Sequence, residues 1–422
     1  MRFLLPLTII SLILPLRLKT DLVLLRPFEV LTVLMCLALL VSGRWLKISV
    51  PKGFIALLPF FAWHVISAGT VSVDNMLREG LQMAVIILFA FALSQESKRL
   101  NIEHAIKLIT WAMAMVFLYT IIWHVANGYW VGWKHLLDTR LSLVFLPVVI
   151  AGLILFTKSA NSNFLWLLWI ALLPLLVLSG ERKALVIQLL LMILLLARGR
   201  LVPVVAWAMV GFVGLIVVST LIDNPYLQRQ INSLINPAST GNYEYVIDTG
   251  KYLPGDSLSN VQRSFALNMS KQMFSETPVL GVGTNQYVRL IDDLFPNIPE
   301  TMKLDIHGEF QRVITENGII GISLYLLVWI VAWLRLVHYL KIAHTEGLIT
   351  LKQSKIFPLL FLVPCALFLG TEASGSRSFV VLVLISLSPD IVRMFVVRAS
   401  ISMKVIGDTA GSELIEHKRK PA

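Results

Sequence analysis

The chain has 422 residues, 57% of them hydrophobic and 14% charged, with a mean hydropathy of +0.78. A soluble chain of this length cannot hide so much apolar surface in one core, so lipid is its main solvent. The formal charge of +11, from 36 Lys+Arg against 25 Asp+Glu, fits basic loops on one side of a membrane; without a basic face carrying interleaved aromatics outside the apolar spans, it argues against a nucleic-acid binder.

A bilayer core about 30 Å thick needs roughly 17 to 25 helical residues, and about twelve apolar stretches meet or approach that length. They lie near residues 3–17, 22–42, 53–70, 77–95, 103–125, 139–157, 164–179, 184–197, 201–222, 314–337, 356–371 and 378–398. The first stretch follows Arg2 and precedes Pro15, Arg17 and Lys19 with no small-residue cleavage site, so it reads as an uncleaved span. The seventh and eighth stretches are separated only by Ser179-Gly180-Glu181-Arg182-Lys183, read as a hairpin turn at a membrane surface.

With the N-terminus in the cytoplasm, the inside segments collect Arg44, Lys47 and Lys52; Lys98 and Arg99; Lys158; Arg198 and Arg200; Arg335, Lys341, Lys352 and Lys355; and a basic tail. The first hairpin, with Arg17 and Lys19 outside, is the exception. The layout is four-part: residues 1–222 hold spans one to nine, 223–313 a large outside loop, 314–398 spans ten to twelve, and 399–422 a cytoplasmic tail.

The loop is polar and rich in turns, with Asn224-Pro225, Asn236-Pro237 and Pro254-Gly255. Inside it, residues 259–275 are expected to form a helix, because Val261, Phe265, Met269 and Met273 recur every four positions. Ser257 or Ser259 can cap its start, and Thr277-Pro278 follows its end. Arg263 lies on this helix off the apolar stripe. Cys36 and Cys365 both fall within apolar runs and read as small buried residues rather than a disulfide.

This topology gathers four cations near one surface: Arg140, Arg182, Arg263 and Arg377. Desolvating an arginine near lipid costs about 2.5–3.5 kcal/mol on insertion scales, so such residues usually take an anionic partner, a carboxylate such as Glu181 or Glu372 or a phosphate held by the guanidinium fork, or else snorkel to the interface. His307 stands just before a span, after Asp305; an imidazole with an ordinary pKa near about 6.5 can accept a proton there, and it can equally be a plain interfacial hydrogen-bonding residue. Asp292, Asp293, Glu300, Asp305 and Glu309 are oxygen ligands of the kind hard cations use, but they form no compact metal motif and read as solvated loop acids. Gly281-Val282-Gly283 lacks the flanking strand and further glycines of a nucleotide cradle and reads as a turn. Trp123, Tyr129, Trp130 and Trp133 read as interfacial anchors, with sugar stacking as the sharper alternative; His64, His104, His124 and His135 show no ligand spacing and are assigned no site.

The stretch His307-Gly308-Glu309-Phe310, followed by Glu316-Asn317-Gly318 and Gly321 and running into an apolar span, resembles the signature of the O-antigen ligase and polymerase superfamily. Upstream, the Arg263 helix ending in Pro278, Gly281 and Gly283 resembles a second part of that pattern; Gly308 stands where Asn often follows the histidine. The resemblance implies an all-α integral membrane protein of about twelve spans with one large, partly helical periplasmic loop, a GT-C-like glycosyltransferase of class B type in the bacterial inner membrane. It implies transfer of an undecaprenyl-diphosphate-linked O-antigen to a hydroxyl of the lipid A core oligosaccharide, inverting and without metal or other cofactor. By the same resemblance His307 is the essential histidine and general base, and Arg182 and Arg263 hold the diphosphate. Arg140, Glu309 and Arg377 are possible additional site residues.

An O-antigen polymerase and a protein O-oligosaccharyltransferase of the same superfamily share this donor and remain alternatives. A lipid-linked sugar transporter, from another functional class, predicts symmetric halves and broken or charged helices near the midplane. The polar residues instead cluster toward one surface, and the long loop has no counterpart in the first half.

Overall fold

The computed structural model describes residues 18–19, 24–25, 27–43, 52–97, 182–196, 243–249, 258–300, 302–303, 306, 308–371 and 378–394, with isolated residues at 8, within 147–155 and 165–172, and at 397. The described residues are helical apart from one antiparallel pair of two-residue strands, β1 (Leu18–Lys19) and β2 (Leu24–Leu25). The expected spans at 103–125 and 201–222 and the expected tail lie outside the described residues, as does most of 3–17, 139–157 and 164–179.

Helix α1 (Pro27–Val41) opens on a proline, whose fixed φ suits the first helical position, and closes at Gly43 with φ +65. It is shorter than the span expected at 22–42. Helix α2 (Lys52–Gly69) and helix α3 (Val73–Ser97) form a hairpin. The Ser72 hydroxyl accepts the Asn75 amide at 3.1 Å, capping the start of α3, and Asp74 adds negative charge to its first turn. Phe28 of α1 meets Phe89 of α3 edge-on with ring centroids 4.9 Å apart.

Helix α4 (Arg182–Leu196) begins inside the polar patch expected to be a turn, so Arg182 and Lys183 occupy its first helical turn. The short helix α5 (Tyr243–Thr249) follows, then the 19-residue α6 (Leu258–Glu276) and the short α7 (Tyr287–Leu294). Helix α8 (Glu309–Thr345) has 37 residues and is interrupted by non-helical backbone at Gly318; the part after the break alone is about 40 Å long at 1.5 Å per residue, beyond the roughly 30 Å of a hydrocarbon core. Helix α9 (Leu351–Thr371) packs on α8 and α4, and α10 covers 378–394.

Among the described residues, three helices are long and apolar enough to cross a membrane: Lys52–Gly69, Val73–Gln95 and Glu309–Thr345. Together with the helical make-up of the described residues, they make this an all-α membrane protein. The described residues form two separate apolar cores. The larger joins α1, α2, α3, α4, α8, α9 and α10, around residues such as Phe60, Phe89, Tyr325 and Phe379. The smaller lies under the loop helices, where the stripe Val261, Phe265, Met269 and Met273 of α6 packs with Val246, Tyr287, Ile291, Ile298 and Met302.

Candidate functional site at the kink of the long helix

The path of α8 breaks at Gly318, which has φ 65 and ψ −165. This backbone region is essentially reserved for glycine and costs other residues about 1–3 kcal/mol, and a Cβ here would also run into the Val279 carbonyl. The break frees carbonyls and amides that an unbroken helix would pair internally, and each must find a partner in a buried setting. The turn after α6 supplies them. Val282 N donates to Thr315 O at 3.0 Å and Gly283 N to Glu316 O at 2.9 Å; in return Ile319 N donates to Pro278 O at 2.9 Å and Ile320 N to Val279 O at 3.4 Å.

Two side chains of α2 complete the set: Trp63 Nε1 donates to Asn317 O at 3.0 Å, and Ser67 Oγ to Glu316 O at 3.3 Å. Gly281, with φ 75, lies so close to the Glu316 carbonyl that a Cβ has no room. The Gly281-Val282-Gly283 turn and the Glu316-Asn317-Gly318 stretch are therefore two halves of one backbone clasp.

The same turn docks on the α2–α3 hairpin through polar side chains. Asn285, held at φ 62, a conformation that asparagine tolerates better than most residues, donates from Nδ2 to Glu79 Oε1 at 2.6 Å. The other carboxylate oxygen of Glu79 pairs with His64 Nε2 at 3.2 Å. Asn75 Nδ2 donates to Thr284 O at 2.8 Å, and Thr284 Oγ1 to His64 O at 3.0 Å. His64 is 1% exposed and Glu79 4%, so this pair is sealed between the hairpin and the turn.

Beside it, Glu309 Oε1 accepts from Arg312 at 2.6 Å in the first turn of α8, with both side chains buried. The Arg312 guanidinium also lies over the Phe379 ring at 5.5 Å, and the His64 ring meets the same phenylalanine at 4.7 Å. Phe379 thus connects the His64–Glu79 and Arg312–Glu309 pairs. Glu309 Oε2 and His64 Nδ1 are buried without a hydrogen-bond partner among the described residues.

The residues expected to carry chemistry are distributed unevenly over this frame. His307, Arg140 and Arg377 lie outside the described residues, and Arg182 is described only as the backbone start of α4. Arg263 projects from the exposed face of α6. Glu309 is the deepest of them, fully buried and ion-paired rather than solvated as the sequence suggested. His64, assigned no site from its spacing, is part of the buried network. What joins α6 to α8 is Gln311, whose Nε2 donates to Ala266 O at 3.2 Å and to Ser270 Oγ at 2.9 Å.

Sequence reasoning passed over His64, Glu79, Asn285 and Arg312; for Glu79 and Asn285 the reason is their separation by 206 positions, whereas Arg312 and Glu309 lie at the local i,i+3 spacing. The available signal was a polar pair inside two otherwise apolar stretches, His64 in one and Glu79 in the next. Intramembrane ionisable residues are costly and mark function or pairing.

The family model described as O-antigen ligase matches residues 165–326. The matched segment takes in α4, α6, α7 and the first turns of α8, and so contains both halves of the clasp. No curated protein matches the chain. Over this segment, somewhat more than a third of its length, the chain resembles the O-antigen ligase family.

Proposed function

We propose that the chain is an O-antigen ligase of the bacterial inner membrane, with about twelve spans and the 223–313 loop in the periplasm. It transfers an undecaprenyl-diphosphate-linked O-antigen to a sugar hydroxyl of the lipid A core. The observation that carries the reading is the Gln311 bridge between α6 and α8. Gln311 follows His307 by four positions in the sequence and Ala266 follows Arg263 by three, so the bridge joins the two stretches of sequence that carry the family-like residues.

In the proposed reaction the acceptor hydroxyl oxygen attacks the anomeric carbon from the face opposite the diphosphate. The new C–O bond forms as the bond to the diphosphate oxygen breaks, and the configuration inverts. His307 takes the hydroxyl proton, an assistance typically worth about 10²–10⁴-fold. The leaving diphosphate keeps the bonding electrons, and Arg182 and Arg263 balance its growing charge; Arg140 and Arg377 are further cations for the same purpose. No divalent ion is needed when guanidinium forks hold the phosphates. Glu309, two positions after His307 in the sequence, is immobilised by Arg312 at the start of α8.

The deciding experiment replaces His307 by Ala and examines lipopolysaccharide and lipid-linked glycan from the same cells. Loss of polymer from lipid A core with lipid-linked polymer retained is the expected result. An unchanged ladder overturns both the ligase reading and the role of His307, whereas accumulation of a single-repeat lipid donor identifies a polymerase. Arg263→Ala, at an exposed position, is expected to lower transfer by at least tenfold while leaving thermal stability unchanged.

A further inference from the structure

We propose that the turn from Pro278 to Gly281 is seated in the bilayer, with Val279 and Leu280 entering the hydrocarbon edge and holding the loop against the membrane. The side chains of Val279 and Leu280 are 54% and 55% exposed, and Ile319, next to them across the clasp, is 48% exposed. Three neighbouring apolar side chains uncovered by protein are an unusual feature of a polar loop.

They are continuous with a surface whose solvent is already assigned. Along α8, Leu326, Leu327, Ile330, Trp333, Leu334 and Val337 are all exposed. They recur at helical spacing from Ile319 onward, on the face away from Tyr325, Val328 and Ala332, which are buried. A one-sided apolar stripe on a membrane-crossing helix faces lipid tails. Val279 and Leu280 extend that stripe at its loop end, and the backbone bonds from Ile319 and Ile320 to Pro278 and Val279 fix them to it.

Depth agrees with continuity. At the opposite end the stripe stops at Val337, and the next exposed residues are His338 and Lys341, which mark the polar boundary. Counting back about 30 Å of hydrocarbon at 1.5 Å per residue spans about twenty residues and reaches position 318, the level of the clasp. A tilt of about 20° moves this boundary by about one residue. The occupant is therefore the acyl region of the membrane itself.

The inference rests on α8 crossing a bilayer and not on sugar transfer, so it stands or falls separately from the proposed activity. Its test uses Leu280→Cys, Leu334→Cys and Lys271→Cys, each nitroxide-labelled in the full-length protein reconstituted into phosphatidylethanolamine–phosphatidylglycerol vesicles. The native Cys36 and Cys365 are 5% and 1% exposed, and the unsubstituted protein gives the labelling background. Power-saturation measurements compare collision with oxygen, which concentrates in lipid, against a water-soluble nickel chelate. The label at Leu280→Cys is expected to match that at Leu334→Cys, with an oxygen-to-nickel ratio several-fold above Lys271→Cys. A ratio equal to that of Lys271→Cys places the turn in water and overturns the proposal; shielding from both reagents shows a protein cover and overturns it equally.

Discussion

The two ends of α8 carry charge in different ways. At the end away from the loop, Arg335 forms a forked pair with Asp390 at 2.5 and 3.3 Å, and the same carboxylate accepts the Gly53 amide at 2.9 Å. That pair is partly exposed and each carboxylate oxygen has a partner. Lys352 and Gln353 nearby donate to the carbonyls of Leu195 and Leu155 at 2.9 and 2.8 Å, closing open ends of other helices. At the loop end the charges are sealed: Glu309 and Arg312 are 0% and 4% exposed, one Glu309 oxygen has no partner among the described residues, and the helix itself is interrupted. Half-wet, fully paired charge is an anchor that tolerates loss. Dry, incompletely paired charge beside a broken helix is costly to hold, and a protein retains it where geometry must be exact for function.

The comparison breaks most readily at Gly318. Gly318→Ala forces a Cβ onto the Val279 carbonyl in a left-handed backbone, and the expected outcome is loss of the monodisperse folded peak on size exclusion in detergent. Next comes Arg312→Ala, which leaves Glu309 buried and unpaired. Its expected cost is about 3–5 kcal/mol, seen as a large drop in unfolding midpoint and partly recovered by pairing it with Glu309→Gln.

Arg335→Ala, at the other end, should cost about 1.5–3 kcal/mol, the range for a hydrogen bond to a charged group, and leave glycan transfer intact. A larger loss there than at Arg312 would reverse the contrast between the two ends. The smallest effect is expected at Lys303, whose ammonium is held above the ordinary lysine range by hydrogen bonds to Glu300 and Asp292. A raised lysine pKa stabilises the fold fully below about pH 10 and ceases to do so as pH climbs through the folded value. Lys303→Ala is thus expected to leave the pH dependence of the unfolding midpoint unchanged from pH 6 to 9.

Local periodicity made the elements legible. The four-residue repeat from Val261 to Met273 predicts a helix at 259–275, and α6 runs from Leu258 to Glu276 with that stripe buried. The hydrophobic stretches at 53–70 and 77–95 correspond to α2 and α3 within a few residues. The apolar stretch at 184–197 corresponds to α4 (Arg182–Leu196), whose first turn also takes in Arg182 and Lys183 of the patch read as a turn between two spans; the rest of that patch lies outside the described residues. The site was legible only in part. Gly281, Gly283 and Gly318 stood out as motif residues, but their purpose, mutual backbone bonding across more than thirty positions, has no local signature. The Glu79–His64 pair was hidden in a similar way: an isolated polar residue in an apolar stretch announces a cost without naming its partner, whereas Glu309 and Arg312 stand at the local i,i+3 spacing of a helix.

The clasp also ties the chain into a ring. Val282 is bonded to Thr315, so everything between them, including α7 and the sequence around His307, is a closed excursion whose two ends are stapled together. Inside such a ring, lengthening costs little, since loop-closure entropy grows only logarithmically with length, and the staple does not move. At the staple a single inserted residue would shift every donor off its acceptor. Variation in the length and chemistry of this excursion can therefore accumulate without disturbing the membrane helices, which lets one scaffold meet differently shaped partners at the same edge of the bilayer.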